Sequence, residues 1–151
     1  MQIRKIKPEE RTDALELILN TFMQYEAPDY SKEGVETFRR SVIINDDYLN
    51  NIVLYGSYQG NIIQGVIATR NQGNHIALFF VDGKFHRQGI GRELFHTVLK
   101  NSSSKEITVN SSPYAVEIYR HLGFAETAPE QITDGMRYTP MKYTELTQQA
   151  N

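Results

Sequence analysis

The sequence predicts an α/β sandwich in which helices pack on a mixed sheet. Three observations predict it. Two amphipathic helical segments come before any long strand. Three segments rich in β-branched and aromatic residues then succeed one another across short glycine turns. From residue 90 onward, helical and strand patterns alternate.

Residues 2–7 place Ile3 and Ile6 among polar neighbours, a short strand closed by Pro8, which cannot donate to a ladder. Over residues 9–25, Leu15, Ile18, Leu19 and Phe22 fall at i, i+3, i+4 and i+7, one helical stripe. A loop with Pro28 follows, and Ser31 caps a second helix carrying Val35, Phe38 and Val42. Asn45, Asp46 and Asp47 read as the turn that ends it, with too few ligands at proper spacing for a calcium loop. Residues 52–58, 62–69 and 76–81 form an antiparallel meander across Gln59-Gly60-Asn61 and Gln72-Gly73-Asn74. The third of these is apolar throughout, the pattern of a strand covered on both faces. Ile90, Leu94, Val98 and Leu99 then mark a helix, residues 106–109 a strand, and Ala115, Ile118, Tyr119 and Leu122 a last helix with Ser112 as its cap and Pro113 in its first turn. Two closing strands, one from Phe124 onward and one over 136–143, meet at Asp134-Gly135. There is no internal repeat, and residues 127–135 are the longest linker-like stretch, so one domain over 1–151 is expected.

Composition narrows the function. With 151 residues, 40% hydrophobic and 23% charged, the chain is in the range of globular proteins. No apolar run approaches the ~20 residues of a membrane helix, and the first residues carry no apolar signal core, which implies a cytoplasmic protein without a membrane partner. The absence of cysteine excludes disulfides, thiolate metal sites and cysteine nucleophiles. A net charge of −2 argues against a broad nucleic-acid surface. His75, His86, His96 and His121 have no metal-ligand spacing and read as surface or turn residues, so no metal is expected.

The most informative local feature is Phe85-His86-Arg87-Gln88-Gly89-Ile90-Gly91-Arg92, between a buried strand and an amphipathic helix. Glycines let a ligand approach the backbone, the first helical turn offers unpaired N–H groups, and Arg87 and Arg92 add charge. Such a turn suits a pyrophosphate. A tight strand-to-helix turn needs the same glycines, and both readings stand at this point. The Walker pattern fails, because Gly91 is followed by Arg92-Glu93, and the dinucleotide fingerprint fails at Leu94.

Arg87-Gln88-Gly89-Ile90-Gly91-Arg92 followed by Tyr119-Arg120-His121-Leu122-Gly123-Phe124, with one strand between, resembles the GCN5-related N-acetyltransferases (GNAT). The order of elements is similar across nearly the whole chain. The resemblance implies a mostly antiparallel central sheet with helices on both faces and acetyl-CoA held between splayed strands. It implies that Phe80 and Val81 meet the pantetheine amides through their backbones, and that Arg87, Gln88, Gly89, Ile90, Gly91 and Arg92 cradle the pyrophosphate. It implies that Tyr119 is the general acid toward the departing thiolate; without the resemblance, Tyr119 reads as a core aromatic. Two positions depart from the family pattern. His86 stands where Gln or Arg is usual, and Ser112 where many members have Asn, a contact that Asn110 is placed to supply instead.

The expectation is therefore an N-acetyltransferase attacking acetyl-CoA directly with a primary amine of a small molecule or peptide, its alternative a CoA-sensing or scaffold domain of the same fold. Glu26 and Asp29, between the first two helices, are candidate bases, with Glu117 another and water a fourth option. Glu126, Glu130 and Asp134 read either as a solvated acidic loop or as an attraction for a cationic acceptor. A homodimer through the C-terminal strands is expected from the resemblance.

Overall fold

The computed structural model describes residues 1–144; residues 145–151 of the expected unit lie outside the described residues. The elements follow as β1 (Gln2–Lys5), α1 (Arg11–Thr21), α2 (Lys32–Phe38), α3 (Asp46–Asn50), β2 (Val53–Gln59), β3 (Ile62–Arg70), β4 (His75–Val81) and α4 (Ile90–Asn101). Then come β5 (Ile107–Ser111), α5 (Val116–Leu122), β6 (Ala125–Glu126), β7 (Gln131–Thr133) and β8 (Met136–Tyr143). The strands lie in the order β1-β2-β3-β4-β5-β8-β6, with β7 on β8. Every pairing is antiparallel except β4–β5, whose crossover is α4.

Strand alternation divides the apolar residues between two cores. Val66, Ala68, Leu78 and Phe80 pack with Leu17, Ile18 and Phe22 of the first helical segment and Phe38 of α2. Ile67, Val109 and Met141 point the other way, onto Leu94, Phe95 and Val98 of α4 and Tyr119 of α5. The sheet is thus mostly antiparallel and covered by helices on both faces. No helix among the described residues is long and apolar enough to cross a membrane.

The departures from expectation are local. The buried stripe of α1 is Ala14, Leu17, Ile18 and Thr21, rotated from the Leu15–Leu19 stripe because Thr21, polar but buried, belongs to it. The helix does not run regularly to residue 25. Ala27 N–H donates to the Phe22 carbonyl, five residues back, so Phe22–Glu26 is a π turn. The second helical segment continues as a π turn over Arg39–Ile43 and ends at Asn45, whose N–H donates to the Val42 carbonyl at 3.4 Å. The Asn45 side chain also starts α3 by accepting from Tyr48 N–H at 3.0 Å. Ser112 caps a turn, its hydroxyl accepting from Ala115 N–H at 3.3 Å, and α5 proper begins only at Val116. The penultimate strand is split into β6 and β7, and the Asp134-Gly135 turn joins β7 to β8 with φ of 52° and 79°. His75 is buried and pushed down to about 4, first by burial and then by Arg70, so it is neutral at pH 7. It is not the surface residue its spacing implied.

The fold also carries one stored polar cost. Among the described residues, the Tyr58 hydroxyl is the buried side-chain polar atom without a hydrogen-bond partner, while the Arg4 guanidinium lies 4.0 Å over its ring. Tyr58→Phe keeps that stacking and removes the orphan, so it is expected to raise stability by about 1 kcal/mol in urea unfolding.

Candidate functional site

The site begins where β4 and β5 part. Their parallel ladder holds only His75↔Thr108 and Ile76↔Val109, pinned by a 2.7 Å hydrogen bond between His75 Nδ1 and Thr108 Oγ1. Beyond it β4 runs on to Val81 with β3 on one side only. The register decides which peptide groups face the gap. Asp82 N–H donates to the Gln64 carbonyl at 2.9 Å, and antiparallel pairs alternate, so Phe80 also turns its peptide to β3 while Phe79 and Val81 turn theirs into the gap. Phe79, and not the expected Phe80, therefore presents its peptide to the gap. Val81 also faces the gap, and its carbonyl accepts from His86 Nε2 at 2.7 Å.

A cavity of about 370 Å³ opens on this gap. Phe79, Phe80 and Val81 form one wall, Arg87, Gly89, Ile90 and Gly91 one end, and Ala115, Ile118 and Tyr119 of the α5 region the opposite wall. Partial exposure of Ala77, Phe79 and Val81 on an apolar strand is thus cleft lining. At the end of the cavity, Gly89 adopts φ +81°, ψ 4°, and α4 starts after it without a side-chain cap. The first intrahelical bond runs from Glu93 N–H to the Gly89 carbonyl at 3.1 Å, which leaves the amides of Ile90, Gly91 and Arg92 free as donors. A Cβ on Gly89 would meet nothing within 4 Å, so the notch is open. Gln88 and Arg92 do not line this cavity; Arg92 borders a small hollow with His96 and His121 instead.

A second cavity of about 210 Å³ lies on the other side of the gap, toward α2 and β8. Asn110 and Ser112 belong to it, so Asn110 is separated from the glycine turn. Glu26, Phe79, Phe80, Ala115 and Tyr119 line both cavities and mark where they join. The π turn explains Glu26. One extra residue in the last turn of the helix swings Tyr25 and Glu26 toward the sheet, which a regular helix of the same sequence would not do. Tyr25 packs on His86 and Tyr114 with ring centroids 5.0 and 5.3 Å away, forming the mouth of the larger cavity.

Electrostatics single out the same two residues. Burial pushes the Glu26 carboxyl up to about 7; the Ser112 hydroxyl opposes this and the charge of Asp29 adds to it. Tyr119 is 5% exposed, held between Phe79 and Phe124 at 5.9 and 5.2 Å. Burial, with Glu26 second, pushes its phenol far above the usual tyrosine range, so it keeps its proton. The other acids are elsewhere. Asp29 lines neither cavity, Glu117 and Glu126 pair with Arg120, and Glu130 pairs with Arg137.

These residues fit a CoA thioester: an open notch with free amides at a helix tip, two cleft-facing peptides on an unpaired strand edge, and a buried proton donor at the far end. Residues 26–145 match the family model described as an acetyltransferase (GNAT) domain, and the chain belongs to that family of acetyltransferases. No curated protein matches the sequence. A GCN5-related N-acetyltransferase from Rhodopseudomonas palustris superposes with a TM-score of 0.80 at 16% identity, covering 95% of this chain and 94% of that one. The PaiA N-acetyltransferase of Thermoplasma acidophilum, solved with coenzyme A, gives 0.74 at 18% identity and covers 95% and 98%. An aminoglycoside 6′-N-acetyltransferase, also complexed with coenzyme A, gives 0.63 at 11% identity and covers 95% and 97%. At these identities the likeness is one of fold.

Proposed function

We propose that this chain is an acetyl-CoA-dependent N-acetyltransferase that transfers the acetyl group to a primary amine by direct attack in a ternary complex. The observation that carries the proposal is the meeting of two cavities at Glu26 and Tyr119, in a gap between parallel strands with the open helix tip at one end. The larger cavity takes the coenzyme, with its diphosphate on the amides of Ile90, Gly91 and Arg92 and the Arg87 side chain near by. Phe79 and Val81 offer the pantetheine their peptide groups, His86 sharing or yielding the Val81 carbonyl. The smaller cavity takes the amine.

Bound acetyl-CoA supplies a thioester carbon at which a C–N bond forms as the C–S bond breaks. Glu26, as a carboxylate above pH 7, takes a proton from the incoming ammonium and passes it to solvent, leaving the nitrogen lone pair free. Tyr119 places its hydroxyl proton on the departing sulfur. The second proton shed by the nitrogen restores the phenol, so the net products are amide, thiol and one solvated proton. The walls hold the two reactants together, and that positioning supplies much of the acceleration.

Calorimetric titration is expected to show CoA binding that ATP does not displace. Tyr119→Phe keeps the ring contacts and loses the hydroxyl. Thiol release in an amine panel should fall about a hundredfold or more, with CoA affinity unchanged. Undiminished turnover would return Tyr119 to a packing role; CoA binding without turnover for any amine would make the chain a coenzyme-binding scaffold.

A further inference from the structure

The smaller cavity carries information about the acceptor that the fold does not. Resting on the reading of it as the amine site, we propose that the acceptor is a small primary monoamine with an uncharged apolar arm, and that this cavity selects against polycations.

Three features point there. The first is composition. Apart from Glu26 at the junction, the wall contains no carboxylate among the described residues; Phe38, Val42, Ala77, Leu78, Phe80 and Met136 are among its apolar members. One buried acid can neutralise one ammonium. A second positive charge carried inward would meet hydrocarbon without a partner, and burying an unpaired charge is strongly unfavourable. The second is size. About 210 Å³ matches the bulk of a single ring or a short branched chain.

The third is the rim. Tyr30 lines the cavity, and its hydroxyl donates to the Arg137 backbone carbonyl at 3.1 Å. The Arg137 guanidinium is fixed beside it, donating to the Asp29 carbonyl at 3.1 Å and to both oxygens of Glu130 at 3.1 and 3.2 Å. The acid of Glu130 is therefore already paired and is not free to hold a second ammonium. Asn110 and Ser112 add neutral polar groups only.

The test is thiol release with saturating acetyl-CoA at pH 8. Its acceptors are 2-phenylethylamine and 3-methylbutylamine against spermidine, kanamycin and a lysine-rich peptide, alongside calorimetric CoA binding. The apolar monoamines are expected to exceed every polycation in kcat/KM by at least about tenfold. Met136→Glu, which puts a second acid in the wall, is expected to reverse the order between 2-phenylethylamine and 1,5-diaminopentane. Faster turnover of spermidine, kanamycin or the peptide by the unmodified chain overturns the inference and leaves acetyl transfer standing. Failure of all the amines while CoA binds overturns both. A Met136→Glu protein that melts normally yet keeps its monoamine preference also counts against the inference.

Discussion

Glu26→Gln is expected to slow amine acetylation by about 10²–10³-fold while making the protein more stable at pH 8. The two effects have one cause. The carboxyl is held at about 7, above its ordinary 4.5, mainly because the cleft desolvates it. The folded state thus binds this proton more tightly than the unfolded chain does. The stability contributed by the protonated group is complete below about 4.5, declines as pH rises through the window from 4.5 to 7, and is gone above it. The loss amounts to at most about 3 kcal/mol, at 1.36 kcal/mol per unit. Glutamine carries no charge to desolvate and can still bond Ser112, so the variant should lose the Glu26 decline and keep only slopes common to both proteins, such as the rise from His75, which is held at about 4. Urea unfolding at pH 4.5 and pH 8 checks the sign: equal stability at the lower pH, a more stable variant at the higher. Activity should run the opposite way in the unmodified protein, with kcat/KM rising through a pKa near 7. That limb should vanish in the variant. A retained limb with near-normal turnover would show that water, not Glu26, takes the proton.

Glu26 also marks the boundary of what the chain discloses in one dimension. The meander was legible because β-branched runs and glycine turns are local signals, and the Gly89–Gly91 turn because a strand, two glycines and an amphipathic helix are contiguous. Glu26 could be placed only between two helices, since a π turn leaves no periodic mark; Pro28 nearby signals an ending and not a rotation. The gap between β4 and β5 is a non-local event, fixed by how far two distant strands stay paired, so neither the second cavity nor the turning of Phe79 in place of Phe80 was readable. Asn110 was assigned to the coenzyme by proximity along the chain, whereas the walls put it on the α2 and β8 side. Alternation along β5, with Val109 buried and Asn110 exposed, fixes its face without saying which cavity that face meets.

Gly34→Ala is expected to destabilise the protein by about 3 kcal/mol, lowering Tm by roughly 6–12 °C for a chain of this size. Intrinsic propensity argues the other way, since alanine in a helix is favoured over glycine by up to about 1 kcal/mol. Close approach decides it. A Cβ on Gly34 would sit well inside contact distance of the Gly135 carbonyl oxygen, and one on Gly135 would lie 2.5 Å from Gly34 N. Both obstacles are backbone, so relief requires α2 and the β7–β8 turn to separate. That turn is already constrained by positive φ at Asp134 and Gly135, and it is tied to α2 by Thr37 Oγ1 donating to the Asp134 carbonyl at 2.7 Å. Gly60→Ala is the control. Its φ of +60° is strained for alanine but its Cβ meets nothing within 4 Å, so the cost should stop at about 1–2 kcal/mol. The functional consequence separates the two cavities. Phe38 on α2 and Met136 at the start of β8 both line the smaller one, whereas the helix tip of α4 lines only the larger. Below the melting range, Gly34→Ala should therefore raise the acceptor KM severalfold and leave the CoA dissociation constant unchanged. Equal weakening of both would mean that the two cavities do not respond independently.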